Sequence, residues 1–226
     1  MKRVLSIALL FALGVVLSVS AQNVLLSTSF SGSGAVSNSY GDWQMTGGRL
    51  YQDSVTNHLA KANFQVPQSG IMEYDFNIRY QAGGFEDHMG GFGIQVFVDQ
   101  PYSGMSWGNG TSYLLWLNYD EHPTYGGAGF RAQVYKSTSD TDMTLMPGYD
   151  IALDPAYLTQ QNASTIIPVK ITINSNTGEV LVKDPTRDNW EYAFNLGSSL
   201  GTGAAIALRT NSLSVSFGDL KVTKIQ

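Results

Sequence analysis

Four central segments of the chain alternate apolar and polar residues with a period of two. In residues 72–80, Met72, Tyr74 and Phe76 belong to an apolar set, and charged or amide residues stand between its members. Successive side chains of a β-strand point to opposite faces, so this alternation predicts strands with one face in a core and the other in water. The other three segments are 92–99, 113–120 and 130–136.

The polar sides of these segments combine aromatic rings with amides and charged groups. Aromatic rings offer broad apolar faces that suit the C–H-rich faces of sugar rings, while amides and charged groups can bind hydroxyls. This chemistry is typical of a sugar-binding surface, although aromatic and arginine side chains also serve at protein interfaces. The candidate ligand-binding residues in the strands are Gln95, Phe97, Trp116, Asn118, Arg131, Gln133 and Tyr135.

A glycine- and serine-rich loop, residues 101–110, follows the second segment and contains Trp107. If the four segments form one meander, this loop lies at the opposite end of the sheet from loops 81–91 and 120–129. Trp107 is a further candidate ligand-binding residue, because an exposed aromatic ring can stack on a sugar. The alternative is that Trp107 folds back over the end of the core.

Two of the three histidines stand beside acids in loops 81–91 and 120–129. Carboxylate and imidazole groups that meet at one end of a sheet can bind a metal ion or transfer protons. The alternative is a solvated acidic loop, since no metal-binding spacing is present. The candidate residues for a metal are Asp87, His88, Glu121 and His122.

Residues 1–21 have the features of a secretory signal peptide: the basic Lys2 and Arg3, an apolar run, and small residues before Gln22. The apolar run is too short for a retained transmembrane helix. We therefore expect an exported protein, periplasmic or extracellular, with no stable membrane insertion after signal removal. Residues 22–226 contain no cysteine and no linker-like run, which favours a single β-sandwich domain without disulfides.

The balance of charge argues against polyanionic partners. The formal net charge of the chain is −5, and loss of Lys2 and Arg3 with the signal peptide makes it more negative. An anionic protein has no electrostatic basis for binding nucleic acid or anionic lipid.

The rest of the chain reads as short strands separated by glycine-rich breaks. The absence of a strand–helix–strand rhythm favours an all-β, antiparallel sandwich. Only 154–158 looks helical, with Asp154 placed as a cap. The later strands are predicted at 166–174, 178–183, 204–210 and 213–223, the first two joined by a turn at 174–178.

Both ends of the mature chain resemble a known family. The opening, 26–30 followed by Trp43 and by 47–50, resembles the first strands of concanavalin A-like jelly-roll domains. The ending, 207–211 and 215–222, is similar to their last two strands, which pair beside the first. The resemblance implies a jelly-roll β-sandwich of the concanavalin A-like type. It allows a structural calcium ion, with Asp219 as a candidate ligand, and it implies no other cofactor.

The same resemblance raises an enzymatic alternative. Glucanases of this family carry an E-x-D-x-E strand, and Glu73-Tyr74-Asp75-Phe76-Asn77 is similar to it except at Asn77. Retaining hydrolysis needs two carboxyl groups about 5 to 5.5 Å apart, and alternate strand residues lie about 6.6 Å apart along a strand. Glu73 and Asp75 are therefore the candidate catalytic pair. The alternative is that they pair with Arg79, Arg131 or another basic residue on a solvated face.

These observations lead to three functional interpretations. The first is an exported glycan-binding or cell-envelope interaction module that uses its polar and aromatic sheet face. The second is a glycoside hydrolase of the concanavalin A-like type. The third is a structural envelope protein that docks another subunit, so the expected partner is a glycan or a cell-envelope protein. The fold alone does not choose among them.

The signal peptide generates the first testable prediction. We expect the exported protein to begin at or near Gln22, because small residues precede that position in the manner of a cleavage site. N-terminal sequencing of protein recovered from the exported fraction measures this, and an intact Met1 on that protein would contradict it.

Overall fold

The computed structural model describes residues 22–31, 36–84, 90–120, 128–153, 158–184, 189 and 191–225. These residues form two antiparallel β-sheets and one short helix, as the alternation of the sequence predicts. The elements are β1 Asn23–Thr28, β2 Ser37–Tyr40, β3 Trp43–Thr46, β4 Arg49–Gln52, β5 Ala60–Gln68, β6 Ile71–Gly83, β7 Gly91–Val98, β8 Thr111–Asp120, β9 Gly129–Thr138, β10 Met143–Ala152, α1 Gln160–Ala163, β11 Ile167–Asn174, β12 Glu179–Lys183, β13 Glu191–Asn195, β14 Gly203–Asn211 and β15 Leu213–Lys224.

The strands divide into two sheets that enclose one hydrophobic cluster. The first sheet has the order β13-β12-β11-β6-β15-β4-β3, with β1 paired to β15. The second sheet has the order β10-β9-β8-β7-β14-β5-β2. The apolar parities face inward: Phe76 on β6 is 2% exposed, Leu115 on β8 is 9% exposed, and the rings of Phe76 and Phe217 lie 6.4 Å apart. The predicted core parity is confirmed.

The four alternating segments do not form one meander. Strands β7, β8, β9 and β10 pair consecutively, but β6 pairs with β11 and β15 in the first sheet. Residues 72–80 therefore lie in a different sheet from the other three segments, and the condition of a single meander is not met. Each sheet of a sandwich has one inner and one outer face, so strands of either sheet show the same alternation of apolar and polar residues. The alternation therefore does not indicate which sheet a strand joins.

This crossing divides the predicted ligand-binding surface. Glu73 and Asp75 lie on the outer face of the first sheet, because Tyr74 and Phe76 fill the inner positions of β6. Trp116 and Tyr135 lie on the outer face of the second sheet, opposite the inward Leu115 and Val134. The two groups occupy opposite surfaces of the sandwich.

A β-bulge changes the side to which Phe97 points. Gln95 pairs with Ala207 and Val98 with Ala205, so an extra residue stands in β7. Phe97 has φ of 55° and is 2% exposed within the hydrophobic cluster. A bulge re-aims the side chains around it. The assignment of Phe97 to the ligand-binding face is therefore corrected, because the structure places its ring in the core.

The later strands agree closely with the predicted ranges. The turn between β11 and β12 closes with a hydrogen bond from Gly178 N to Asn174 O at 2.8 Å. Strand β15 pairs with β1, as expected of a closing strand, whereas β14 lies in the second sheet and not beside the first strand.

The described helix is α1, capped by Thr159, and most of the helix predicted at 154–158 lies outside the described residues. Within the described ranges, no helix has the length and apolar character needed to cross a membrane.

The packing of β6 generates a stability prediction. We expect Phe76→Ala to lower the free energy of unfolding by about 3 to 5 kcal/mol, because it removes a buried ring and leaves a cavity. Ile166, which is 58% exposed, offers a matched control, and Ile166→Ala should change stability by less than about 0.5 kcal/mol. Equal denaturation midpoints for the two variants would show that the inner face is misassigned.

Candidate ligand-binding cleft

The connection between β7 and β8 lies across the outer face of the second sheet. We call residues 99–110 the cover loop. Asn109 in this loop is fully buried, and its Nδ2 donates to Asn63 Oδ1 on β5 at 2.9 Å. Ser112 Oγ donates to Asn109 O at 3.0 Å from the start of β8. The loop therefore lies over the sheet surface, whereas the sequence placed it at one end of a meander.

Two buried cations hold the cover loop to the sheet. Lys61 on β5 and Arg209 on β14 are paired neighbours in the sheet. Lys61 Nζ donates to Ser106 Oγ at 2.7 Å and to Gly108 O at 3.0 Å. The guanidinium of Arg209 donates to Ser106 O at 3.1 Å and to Trp107 O at 3.2 Å. Most of these acceptors are backbone carbonyls of the loop.

Burial changes the acidity of both cations. Burial lowers the pKa of Arg209 to about 10. Burial is the main cause that lowers the pKa of Lys61 to about 7, and repulsion from Arg209 is the second. The carboxylate of Asp140 acts in the opposite direction and raises this pKa. Within the described residues, neither cation forms an ion pair with a carboxylate. A buried charge without a counterion is costly, so its hydrogen bonds to the loop are essential.

Trp116 is seated directly on the backbone of the neighbouring strand. It pairs across the sheet with Gly93, and it is 8% exposed. A Cβ atom placed on Gly91 would lie only 2.3 Å from Trp116 Cε2. Glycine at position 91 therefore makes room for the indole ring to lie over β7.

A cavity of about 150 Å³ opens between the cover loop and the sheet. We call it the aromatic cleft, because Trp107 from the loop and Trp116 and Tyr135 from the sheet contribute to its wall. Trp107 is 39% exposed, so the ring faces both the cleft and solvent and does not cover the end of the core. The lining residues are Leu59, Trp107, Leu114, Trp116, Asn118, Tyr135, Met143, Arg209, Thr210 and Asn211.

The wall of the aromatic cleft contains buried polar atoms that lack hydrogen-bond partners within the described residues. Arg209 Nε is an unpaired donor, and Asn118 Oδ1 is an unpaired acceptor. Buried polar atoms in native proteins are nearly always hydrogen-bonded, so each exception calls for an explanation. A donor and an acceptor beside aromatic rings can together bind a polar ligand that also has an apolar face.

A hydrogen-bonded network orients one side of the cleft. Arg131 Nε donates to Asp150 Oδ1 at 2.6 Å, and Gln133 Nε2 donates to the same oxygen at 3.2 Å. Tyr135 OH donates to Gln133 Oε1 at 3.0 Å, and Asn118 Nδ2 approaches this oxygen at 3.4 Å. The network directs Asn118 so that its amide nitrogen faces Gln133.

This network also determines the charge states of its members. Burial alone would raise the pKa of Asp150, but hydrogen bonds from Arg131 and Gln133 outweigh it and lower the pKa. Burial and the nearby Asp150 raise the pKa of Tyr135, so its hydroxyl keeps the proton that it donates. The negative charge of Asp150 is matched by Arg131.

The structure brings together four of the predicted ligand-binding residues in the cleft: Trp107, Trp116, Asn118 and Tyr135. Three others lie on the same face but do not line the cleft. Arg131 and Gln133 support Asp150, while Gln95 is fully buried and accepts a hydrogen bond from Arg209.

Arg209 is the main cleft residue that the sequence analysis missed. It follows an apolar run in β14, whose residues are buried on both sides of the strand from 205 to 209. An unbroken apolar strand is typical of one covered on both faces. An arginine directly after such a run, in the same strand, was therefore a usable signal that something covers the outer face of the sheet.

The proposed catalytic pair lies far from this cleft in the fold, on the other sheet. Glu73 Oε2 forms an ion pair with Lys170 Nζ at 2.9 Å. Asp75 stands in register between Lys170 on β11 and Lys221 on β15. This is the arrangement of ion pairs on a solvated face, although the basic partner is Lys170 and not Arg79 or Arg131.

The metal-site candidates are mostly outside the described residues. Asp87, His88, Glu121 and His122 cannot be placed, because they belong to 85–89 and 121–127. Asp219 accepts a hydrogen bond from Asn77 Nδ2 at 2.9 Å on the first sheet. Among the residues that the structure describes, no group of three or more histidine or acidic side chains converges.

The architecture is shared with several solved structures, two of which are named for carbohydrate binding or recognition. Carbohydrate binding module CBM66 from Bacillus subtilis superimposes with a TM-score of 0.51 at 10% identity, over 92% of this chain and 98% of that one. The Emp46p carbohydrate recognition domain, in its metal-free form, gives 0.50 at 10% identity, over 88% and 94%. A functionally unknown protein from Saccharomyces cerevisiae gives 0.50 at 12% identity, over 86% and 97%.

The fold is a concanavalin A-like sandwich. The resemblance seen at the two ends of the sequence is thereby confirmed for the fold. No family model matches this sequence, and no significant match appears among curated proteins. At 10 to 12% identity, the solved structures establish the concanavalin A-like architecture alone.

The lowered pKa of Lys61 generates a prediction about pH. The ordinary pKa of lysine is 10.5 and that of Lys61 is about 7, so between these values the unfolded chain binds a proton that the folded protein has released. Stability rises with pH wherever the unfolded state binds more protons. We therefore expect Lys61 to raise the free energy of unfolding as the pH increases from about 7 to about 9.

Urea unfolding at several pH values measures this effect. Lys61→Met should remove most of the rise, whereas Lys183→Met, at an exposed position, should retain it. The assignment is wrong if the two variants show the same dependence on pH as the unaltered protein.

Proposed function

We propose that this protein binds a carbohydrate in the aromatic cleft. The observation that carries the proposal is the composition of the cleft wall: two tryptophans and a tyrosine stand beside a buried, unpaired donor on Arg209 and a buried, unpaired acceptor on Asn118. Sugar rings combine C–H-rich faces with hydroxyls that both donate and accept. The aromatic rings would bind the C–H-rich faces, and Arg209 and Asn118 would bind the hydroxyls.

The volume of the cleft supports recognition of a single sugar ring. About 150 Å³ is roughly the volume of an engineered protein cavity that admits benzene, a six-membered ring. Pockets for drug-sized ligands are about 300 to 1,000 Å³. We therefore propose that one residue of a glycan enters the cleft while the rest of the chain remains outside.

The comparisons with solved structures are in keeping with this proposal. CBM66 is named as a carbohydrate binding module, and the Emp46p domain is named for carbohydrate recognition. The signal-like residues 1–21 support an exported protein that would meet glycans outside the cytoplasm. We propose that the protein acts as an exported glycan-binding module of the periplasm or the extracellular space.

The other interpretations are less well supported. Glu73 and Asp75 lie on the sheet opposite the aromatic cleft, so a sugar in the cleft would not reach them. A protein partner would need a broad exposed surface, whereas the tryptophan of the sheet, Trp116, is 8% exposed inside the concave cleft. The geometry favours a small ring over a flat protein surface.

Trp107→Ala tests the proposed function. Its backbone carbonyl, which accepts from Arg209, is retained in the variant, so we expect the fold and the cover loop to persist. Loss of a stacking ring at a binding site should weaken affinity roughly tenfold or more. A glycan array identifies a ligand, and calorimetric titration of that ligand measures the change.

Tyr192→Ala is the matched control. Tyr192 is 42% exposed, close to the 39% of Trp107, but it lies on β13 in the first sheet. It should leave glycan affinity unchanged. Equal losses in the two variants would contradict binding in the cleft, and an array with no bound glycan would contradict carbohydrate binding itself.

A further inference from the structure

Arg209 carries a buried positive charge that no carboxylate among the described residues neutralises. The residue is 2% exposed, and its acceptors among the described residues are uncharged: Gln95 Oε1 at 2.5 Å and the carbonyls of Ser106 and Trp107. Its Nε has no acceptor within the described residues. The guanidinium is therefore short of one hydrogen bond and of a counterion.

The neighbouring cation increases this local excess of positive charge. Lys61 is fully buried beside Arg209 and donates to the uncharged Ser106 Oγ and Gly108 O. The carboxylate that acts on it, Asp140, accepts from the backbone N of Gly110 instead. Arg209, together with Lys61 where it is protonated below its pKa of about 7, thus places positive charge under the cover loop of a chain whose formal net charge is −5.

The negative charge on the far side of the cleft is already matched. Asp150 forms an ion pair with Arg131 at 2.6 Å and accepts a hydrogen bond from Gln133. It therefore does not neutralise Arg209. Among the described lining residues, the charged group in the wall of the cleft is the guanidinium of Arg209.

We infer that the ligand of the aromatic cleft is an acidic sugar, whose anionic group accepts a hydrogen bond from Arg209 Nε. The inference rests on the proposed function and specifies its ligand class. A charge-assisted hydrogen bond is roughly twice as strong as a neutral one, and it would supply the counterion that the described residues do not give Arg209. Asn118 Oδ1 accepts from a ring hydroxyl in the same arrangement.

A carboxylate on the ring, as in a uronic acid, and a sulfate ester share this chemistry. Within the part of the chain that the structure describes, Nε is the one guanidinium nitrogen without an acceptor, so the site suits a single anionic group and not a cluster of them. The test separates the two sources by using one sugar of each kind.

The experiment compares matched sugars on the purified protein by calorimetric titration. The probes are glucuronic acid, its methyl ester, glucose 6-sulfate and glucose, together with the corresponding galactose series. The methyl ester keeps the ring and removes the charge, so the comparison needs no variant. In one of the two series, we expect either the uronic acid or the sulfated sugar to bind at least tenfold more tightly than the neutral probes, which are the methyl ester and the unmodified sugar.

A variant locates the anionic group in the cleft. Arg209→Gln removes the charge but keeps hydrogen-bonding capacity, and if it folds it should lose the preference for the charged sugar. If Arg209→Gln does not fold, the unaltered protein still tests the inference. The inference is supported if that protein binds the acid at least tenfold more tightly than the ester and if added salt reduces this difference.

Each failure has a distinct meaning. If neutral sugars bind as tightly as charged ones and Trp107→Ala weakens them, the acidic-sugar inference is overturned while carbohydrate binding stands. If an array that includes uronic-acid and sulfated glycans shows no binding at all, both the inference and the proposed function fail. A folded Arg209→Gln variant that retains the full preference for acid also overturns the inference.

Discussion

The buried guanidinium of Arg209, which pairs with no carboxylate in the described ranges, is the constraint from which the shape of the binding face follows. Removing a charge from water is costly unless hydrogen bonds replace its hydration. Arg209 obtains these bonds from Gln95 and from the carbonyls of Ser106 and Trp107. Because two of these acceptors belong to the cover loop, the loop must lie against the sheet. That position makes Trp107 and Trp116 part of one cavity wall.

The architecture could be predicted from the sequence because alternation records which side of a strand is covered. Phe76 and Leu115 were assigned to the core from parity alone, and both are buried. Parity does not record which sheet a strand joins, because an inner and an outer face exist in both sheets. Glu73 was therefore grouped with residues on the opposite sheet, since the chain crosses the sandwich between β6 and β7.

The cleft could be predicted only where side-chain chemistry and parity agree. Trp116, Asn118 and Tyr135 were identified because they are polar or aromatic residues on outward positions. Phe97 was misplaced because a bulge interrupts the alternation, and a bulge depends on the pairing of two strands distant in sequence. Arg209 was missed because its role comes from contact with a loop about a hundred residues earlier in the chain.

The cover loop is anchored mainly through its backbone, so its position depends little on which side chains it carries. Arg209 and Lys61 bind the carbonyls of Ser106, Trp107 and Gly108, which any residue would supply. The side chain at position 107 can then be exchanged without loss of the bonds that hold the loop in place. Substitutions in the side chains of such a loop can change which ligand is preferred, while the loop backbone and the sandwich beneath it keep their positions.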